Sequence, residues 1–337
     1  MNRMIQLAGR YLPIIGLLVC TLVLPGLAQA ASKKVMIITN RGCEEICRSF
    51  EQGLQSQGEI SLIVRDIAGD VKKVPAIIDE ARVMKVDLIA TWGTGVTLAV
   101  IGKRDAVDPA KHVTDIPVVY LFVGNPVESG IAVDAKRSGR PNVAGANTTV
   151  PVEAQINLMM SYRKVSRVGM IFNVDEPSAV LQAATMRKQF AARSVAVSVV
   201  EVPKGPDGKA DPESLEPGME RLAEGKPDFI YYIGSTFTLA NSKRIGELAM
   251  ERGIPVFTAF EQAYRKGNIL LGLTSPLTGI GQIGAYQAGQ ILFNGRKPGD
   301  LSSPTLTRHS VLINMEAARQ LKAYPPMKLL QFADLTN

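Results

Sequence analysis

One stretch of this chain occurs twice. DLIATWGTGVTLA at residues 87–99 returns as DFIYYIGSTFTLA at residues 228–240, with six of thirteen positions identical and an offset of 141. Two shorter echoes keep the same order: VMIITN at 35–40 returns as VGMIFN at 168–173, and IPV at 116–118 returns at 254–256. The chain reads as one architecture used twice, with strands that break at the same places in each copy. Two like lobes with matching strand ends imply a cleft between them, the usual place for a ligand in such folds.

Short β-branched apolar runs alternate with amphipathic stretches from residue 34 onward. A first series lies at 35–39, 61–64, 87–92 and 117–122, with a short run near Val143; a second lies at 167–172, 195–202, 228–233, 255–258 and 269–273. Nearly continuous runs of this kind are parallel strands covered on both faces. The stretches 44–57, 74–84, 152–162, 178–192, 215–223 and 239–251 read as helices between them. The prediction is an α/β fold of two doubly wound parallel-sheet lobes. A helix at 279–293, a run at 310–313 and a helix from Met315 follow. They are too short for a third domain and read as exchanged elements that tie the lobes with extra crossovers. The expected division is 31–149 plus 275–305 for lobe 1, and 150–274 plus 306–337 for lobe 2.

Residues 1–30 read separately. Arg3 and Arg10 precede an apolar stretch at 12–24, and Ala28 and Ala30 frame a small-x-small cleavage site. These are the parts of a secretory signal peptide cut after Ala30, which places the protein in the periplasm. As an uncleaved anchor the apolar core falls short of the ~20 residues a span needs. Without residues 1–30, which hold two arginines and no acids, the formal charge falls from +7 to +5. The basic residues are scattered in pairs with no long run or interleaved aromatics, which argues against nucleic acid. Cys43 and Cys47 are four apart, with Cα atoms about 6 Å apart on one helix face. An oxidising compartment favours a disulfide, and two free thiols stay open as the alternative. No histidine lies near them, so no metal site is expected.

Loops at the carboxyl ends of parallel strands meet the ligand. Those ends carry Asn40, Arg41, Trp92, Gly93, Thr94, Phe122 and Asn125 in the first half, and Asn173, Asp175, Gly234, Ser235, Thr236, Phe260 and Thr274 in the second. Gly93 and Gly234 are equivalent in the repeat, each followed by a hydroxyl residue. A glycine at a helix start lets backbone amides approach an anion, so a ligand carboxylate fits there; Thr94 and Ser235 serve equally as plain N-caps. Trp92 is the only tryptophan. It is either a stacking platform or a core residue. Arg41 suits a carboxylate, and Glu44 and Asp175 suit an amino group or, without any ligand, a helix start. The GIGQIG sequence at 279–284 matches a dinucleotide fingerprint, but no strand ending in an acid follows it, and glycines for close helix packing explain it better. His112 and His309 sit in no nucleophile or metal arrangement, and no convincing acid/base pair exists. No catalytic residue is expected.

With these strand ends in place, the chain resembles the substrate-binding proteins of ABC transporters whose best-understood members bind tryptophan or tyrosine. The likeness covers residues 33–326. It rests on Gly42, Cys43, Glu44, Glu45, Phe50, Gly53 and Leu54, on Gly93-Thr94, and on IPVV at 116–119 leading to NPV at 125–127. NVAG at 142–145, VGMIFN at 168–173, GIPV at 253–256 and INMEAA at 313–318 complete the ordered set. The resemblance implies a type I periplasmic binding fold with a three-crossover hinge, capture of a small ligand in the cleft, no catalysis and no cofactor. Relatives often have a tyrosine-containing segment after the last strand of lobe 2, where this chain has GLTSPLTG at 272–279. An aromatic amino acid is therefore not carried over. The expectation is a monomeric periplasmic solute-binding component of an ABC importer, taking an amino acid or small carboxylate and docking on a membrane permease. A sensor kinase as partner is the alternative, and an exported enzyme a more distant one.

Overall fold

Val35 and Ile37 face one side of the first strand and Met36 and Ile38 the other, all four with 0% exposure. That two-sided burial is what a central parallel strand requires. The computed structural model describes residues 32–206 and 208–337. The expected signal peptide, residues 1–30, lies outside the described residues. No described helix is long and apolar enough to cross a membrane.

The first lobe runs β1 (Lys33–Thr39), α1 (Glu45–Gln55), β2 (Ile60–Asp66), α2 (Val74–Met84), β3 (Leu88–Trp92), α3 (Thr94–Ile101), β4 (Val118–Leu121) and β5 (Val143–Gly145). Its five strands are parallel in the order β2-β1-β3-β4-β5. The second lobe runs α4 (Val152–Tyr162), β6 (Arg167–Asn173), α5 (Pro177–Ala191), β7 (Ala196–Val202), α6 (Leu215–Glu224), β8 (Phe229–Tyr232), α7 (Thr236–Ala240), α8 (Ser242–Glu251), β9 (Val256–Thr258), α9 (Glu261–Lys266) and β10 (Leu271–Thr274). Then α10 (Leu277–Leu292) returns to the first lobe, and β11 (Ser310–Asn314), α11 (Met315–Gln320), α12 (Met327–Leu330) and β12 (Asp334–Thr336) complete the second.

Each sheet is covered on both faces. Apolar residues of α2 and α3 cover one side of the first sheet, those of α1 and α10 the other. In the second sheet Met170 and Phe172 of β6 face α4 and α5, and Ile171 faces α6 and α8. The expected α/β fold of two doubly wound, parallel-sheet lobes is present. One feature departs from it: in the order β12-β11-β10-β9-β8-β6-β7, β11 is antiparallel to β10. Thr274, the last residue of β10, pairs with Ser310, the first of β11. The chain re-enters the second lobe at the cleft end of the sheet, so the new strand must run the opposite way.

Three segments cross between the sheets, and they are bonded to one another. The Asn147 amide donates to the Pro304 carbonyl at 2.9 Å, and the Leu306 amide to Asn147 at 2.9 Å. The Ser275 hydroxyl donates to the Thr148 carbonyl at 2.6 Å and lies 3.3 Å from His309 Nδ1. The glycines of the 279–284 motif serve helix packing. A Cβ on Gly281 would come within 1.9 Å of Ser49 Oγ and 2.5 Å of the Ile46 carbonyl on α1, and one on Gly284 within 2.0 Å of Leu121.

Candidate functional site

The repeat places β3-α3 opposite β8-α7, and the two helix starts differ in what they leave free. The first amides of any helix lack intrahelical acceptors. In the second lobe the chain supplies them all. Gly234 N–H donates to Gln182 Oε1 at 3.0 Å, and Ser235 and Thr238 cap each other reciprocally. The amides of Thr236 and Phe237 donate to the two oxygens of Glu176 at 3.0 and 3.2 Å. Asn173, on the floor, donates to Asp175 at 2.7 Å and to Glu176 at 3.4 Å, and accepts from the Ser235 hydroxyl. The space above is filled too: a Cβ on Gly234 would meet the Phe260 ring at 2.2 Å.

In the first lobe the same place is open. Gly93, at φ +90°, is the N-cap of α3 and offers no side chain to the helix. Among the described residues the amides of Thr94, Gly95 and Val96 have no acceptor. A Cβ on Gly93, Gly95 or Gly124 would meet nothing within 4 Å. The Thr94 hydroxyl accepts from Gly124 N–H at 3.2 Å and so holds the β4 loop beside the helix start. Phe122 and Asn125, at φ +52° and +47°, turn that loop back on itself, and the Asn125 amide donates to Thr149 Oγ1 at 3.4 Å. The sequence explains the difference. In the 35–40 and 168–173 repeat, Cys43 occupies the place of Glu176. A neutral, covalently tied residue replaces the carboxylate that caps the other lobe. Of the two readings for these helix starts, plain capping is the one found in the second lobe: Gly234, Ser235 and Thr236 are satisfied by their own chain.

Side chains from the two lobes meet around this site. Asn40 Nδ2 donates to Thr236 Oγ1 at 3.1 Å. Arg41 donates to Gln262 Oε1, and Gln262 in turn donates to Glu44. The Arg41 guanidinium carbon stands 5.5 Å above the centre of the Trp92 ring. Trp92 is 3% exposed and belongs to the core beneath α1 and α10, so Arg41 covers the part of it nearest the cleft. Phe122 and Phe260 make an edge-to-face pair across the gap, with centroids 6.3 Å apart. Thr39 and Thr274, the last residues of β1 and β10, each bury a hydroxyl that has no partner among the described residues. Such groups are rare in folded proteins. Burial pushes the Tyr232 phenol up from its ordinary pKa, which keeps it neutral beneath the cleft. Cys43 and Cys47 are joined, with Cα atoms 5.1 Å apart. No group of described histidines, cysteines or acids is arranged to hold a metal ion.

Sequence reasoning passed over Glu176, Gln182, Gly95, Thr149 and Gln262. Glu176 stands one residue beyond Asp175 and just before the helix-starting Pro177, a position typical of an N-terminal acid. Gln262, buried within α9, gave no comparable signal.

Comparison with known proteins adds a family and a fold. The family model described as ABC transporter substrate binding protein matches residues 35–336. Among solved structures, an ABC domain from Streptococcus pneumonia in complex with L-Trp aligns at a TM-score of 0.77 and 17% identity, over 90% of this chain and 99% of that one. A conserved domain protein from Vibrio cholerae aligns at 0.76 and 20% identity, over 91% and 100%. The ligand-free, open structure of a substrate binding protein with adhesive properties from Clostridium difficile aligns at 0.68 and 19% identity, over 90% and 99%. No curated protein matches the chain.

Proposed function

Because the chain belongs to the ABC transporter substrate binding proteins, a family of binding proteins and not enzymes whose work implies a small-molecule ligand and a membrane permease, we propose that it captures an amino acid or small carboxylate between its lobes. The ligand's carboxylate sits on the amides of Thr94 and Gly95 in lobe 1 (31–149 plus 275–305). Lobe 2 (150–274 plus 306–337) closes over it with Asp175 and Phe260. The protein works as a monomer in the periplasm, reached through the export signal in residues 1–30, and hands its ligand to an importer's permease.

One observation carries the reading: the start of α3 has free amides under open space, while its repeat-related counterpart is filled by Glu176 and Phe260. A helix N-terminus favours an anion by ~0.3–1 kcal/mol, and more when water is excluded. The L-Trp held by the Streptococcus relative supports the amino-acid class. The test is a thermal-shift screen of the purified protein against amino acids and small carboxylates. A true ligand at a hundredfold excess over its dissociation constant stabilises by about 2.7 kcal/mol. A broad library that produces no shift contradicts the proposal.

A further inference from the structure

The contact between α9 and the start of α1 is a lobe-to-lobe junction made by the chain alone. Gln262 is 8% exposed and sits between two charged groups of the other lobe. Its amide oxygen accepts from Arg41 and its amide nitrogen donates to Glu44, so both ends of the amide are matched. Arg41 and Glu44 are themselves 3.4 Å apart. Arg265, one turn further along α9, lies 3.8 Å from Glu45. Everything on the first-lobe side hangs on residues 41–45, and the Cys43–Cys47 bond closes the middle of that segment onto the first turn of α1. Cys47 is 1% exposed and anchored in the core, while Cys43 is partly exposed. The bond therefore fixes the path of the backbone between Arg41 and Glu44.

We propose that Gln262 is an interlobe latch, and that the Cys43–Cys47 disulfide holds the first-lobe half of that latch in register. Closure is then sensitive to redox state. A dithiol reductant gives two electrons and two protons to the sulfur–sulfur bond, yields two thiols, and is itself oxidised to a disulfide. The freed segment lets Arg41 and Glu44 move apart, and the closed form loses its fastening. Charge-assisted hydrogen bonds are the stronger kind, so loss of the pair moves the closed-to-open ratio by roughly tenfold. The inference rests on the reading that the lobes close over a ligand, but its readout needs no ligand.

The experiment is a distance measurement by electron paramagnetic resonance on ligand-free protein. Spin labels go on noncanonical residues at Val83 of α2 (82% exposed) and Val180 of α5 (41% exposed), which leaves the thiols untouched. In Gln262→Ala the distribution shifts to the longer, open distance by roughly tenfold in population. Gln262→Met, similar in length but without the amide, repeats the shift and replaces the alanine variant if that one unfolds. A dithiol moves the wild type the same way by a smaller amount and adds nothing in either variant. An unchanged distribution in Gln262→Ala and Gln262→Met overturns the latch. A dithiol without effect on the wild type, or with equal effect in wild type and variants, overturns the role of the disulfide. Failure of the ligand screen with these shifts present would remove the ligand assignment alone.

Discussion

Gly95 and Thr236 are the same position in the repeat, and they face opposite demands. The Thr236 amide is already bonded to Glu176. Gly95 leaves its amide free under open space, and a methyl group added there would occupy part of the space in which the proposed carboxylate sits. Gly95→Ala therefore separates folding from function. Alanine is the better helix residue, so stability stays level or rises by up to about 0.5 kcal/mol. Affinity for the ligand found by the screen falls at least tenfold. Urea melts and titration calorimetry on the one variant read both; equal affinity for the two proteins removes Gly95 from the site. Glu176→Ala makes the complementary test, since it strips two helix-start amides of their acceptor and costs about 1 kcal/mol in a urea melt.

At the scale of elements, the close approach of α10 to α1 is set by small residues. Gly281→Ala would force its new carbon against Ser49 Oγ and the Ile46 carbonyl. Overpacking of this kind costs typically 1–3 kcal/mol, read as a lowered midpoint in chemical denaturation. The crossings between lobes carry a pH dependence. Burial lowers the pKa of His309 from 6.5, so the unfolded chain binds a proton that the folded one resists. Its contribution is fully present above pH 6.5 and is lost as pH falls through the lower folded-state value. His309→Asn should melt with a shallower loss of stability below that pH than the wild type does. A difference spectrum of melting points against pH checks it, and identical slopes contradict it. The strands and helices flanking these crossings were legible in sequence because each strand is buried on both faces and each helix on one. The reversal of β11 was not, because strand direction depends on which end of the sheet the chain re-enters. No local pattern at 310–314 records that.

At the scale of the whole molecule, two similar lobes do different work. One leaves the amides at the start of α3 without an acceptor among the described residues, while the other satisfies the matching amides from its own chain. The duplication itself was plain from residues 87–99 and 228–240. Their inequality was hidden, since it turns on Cys43 standing where Glu176 stands in the other half, in a repeat only six residues long that ends before either. The cross-lobe partners of Gln262 were hidden too, because Arg41 and Glu44 lie more than two hundred residues away and meet it only when the lobes come together. The most direct test of the account is amide nuclear magnetic resonance of the protein titrated with the amino acid or carboxylate that gives the largest thermal shift. The amide protons of Thr94 and Gly95 should move strongly downfield as they gain an anionic acceptor, while those of Thr236 and Phe237 stay near their starting positions. Large downfield shifts at Thr236 and Phe237 with none at Thr94 and Gly95 would contradict it.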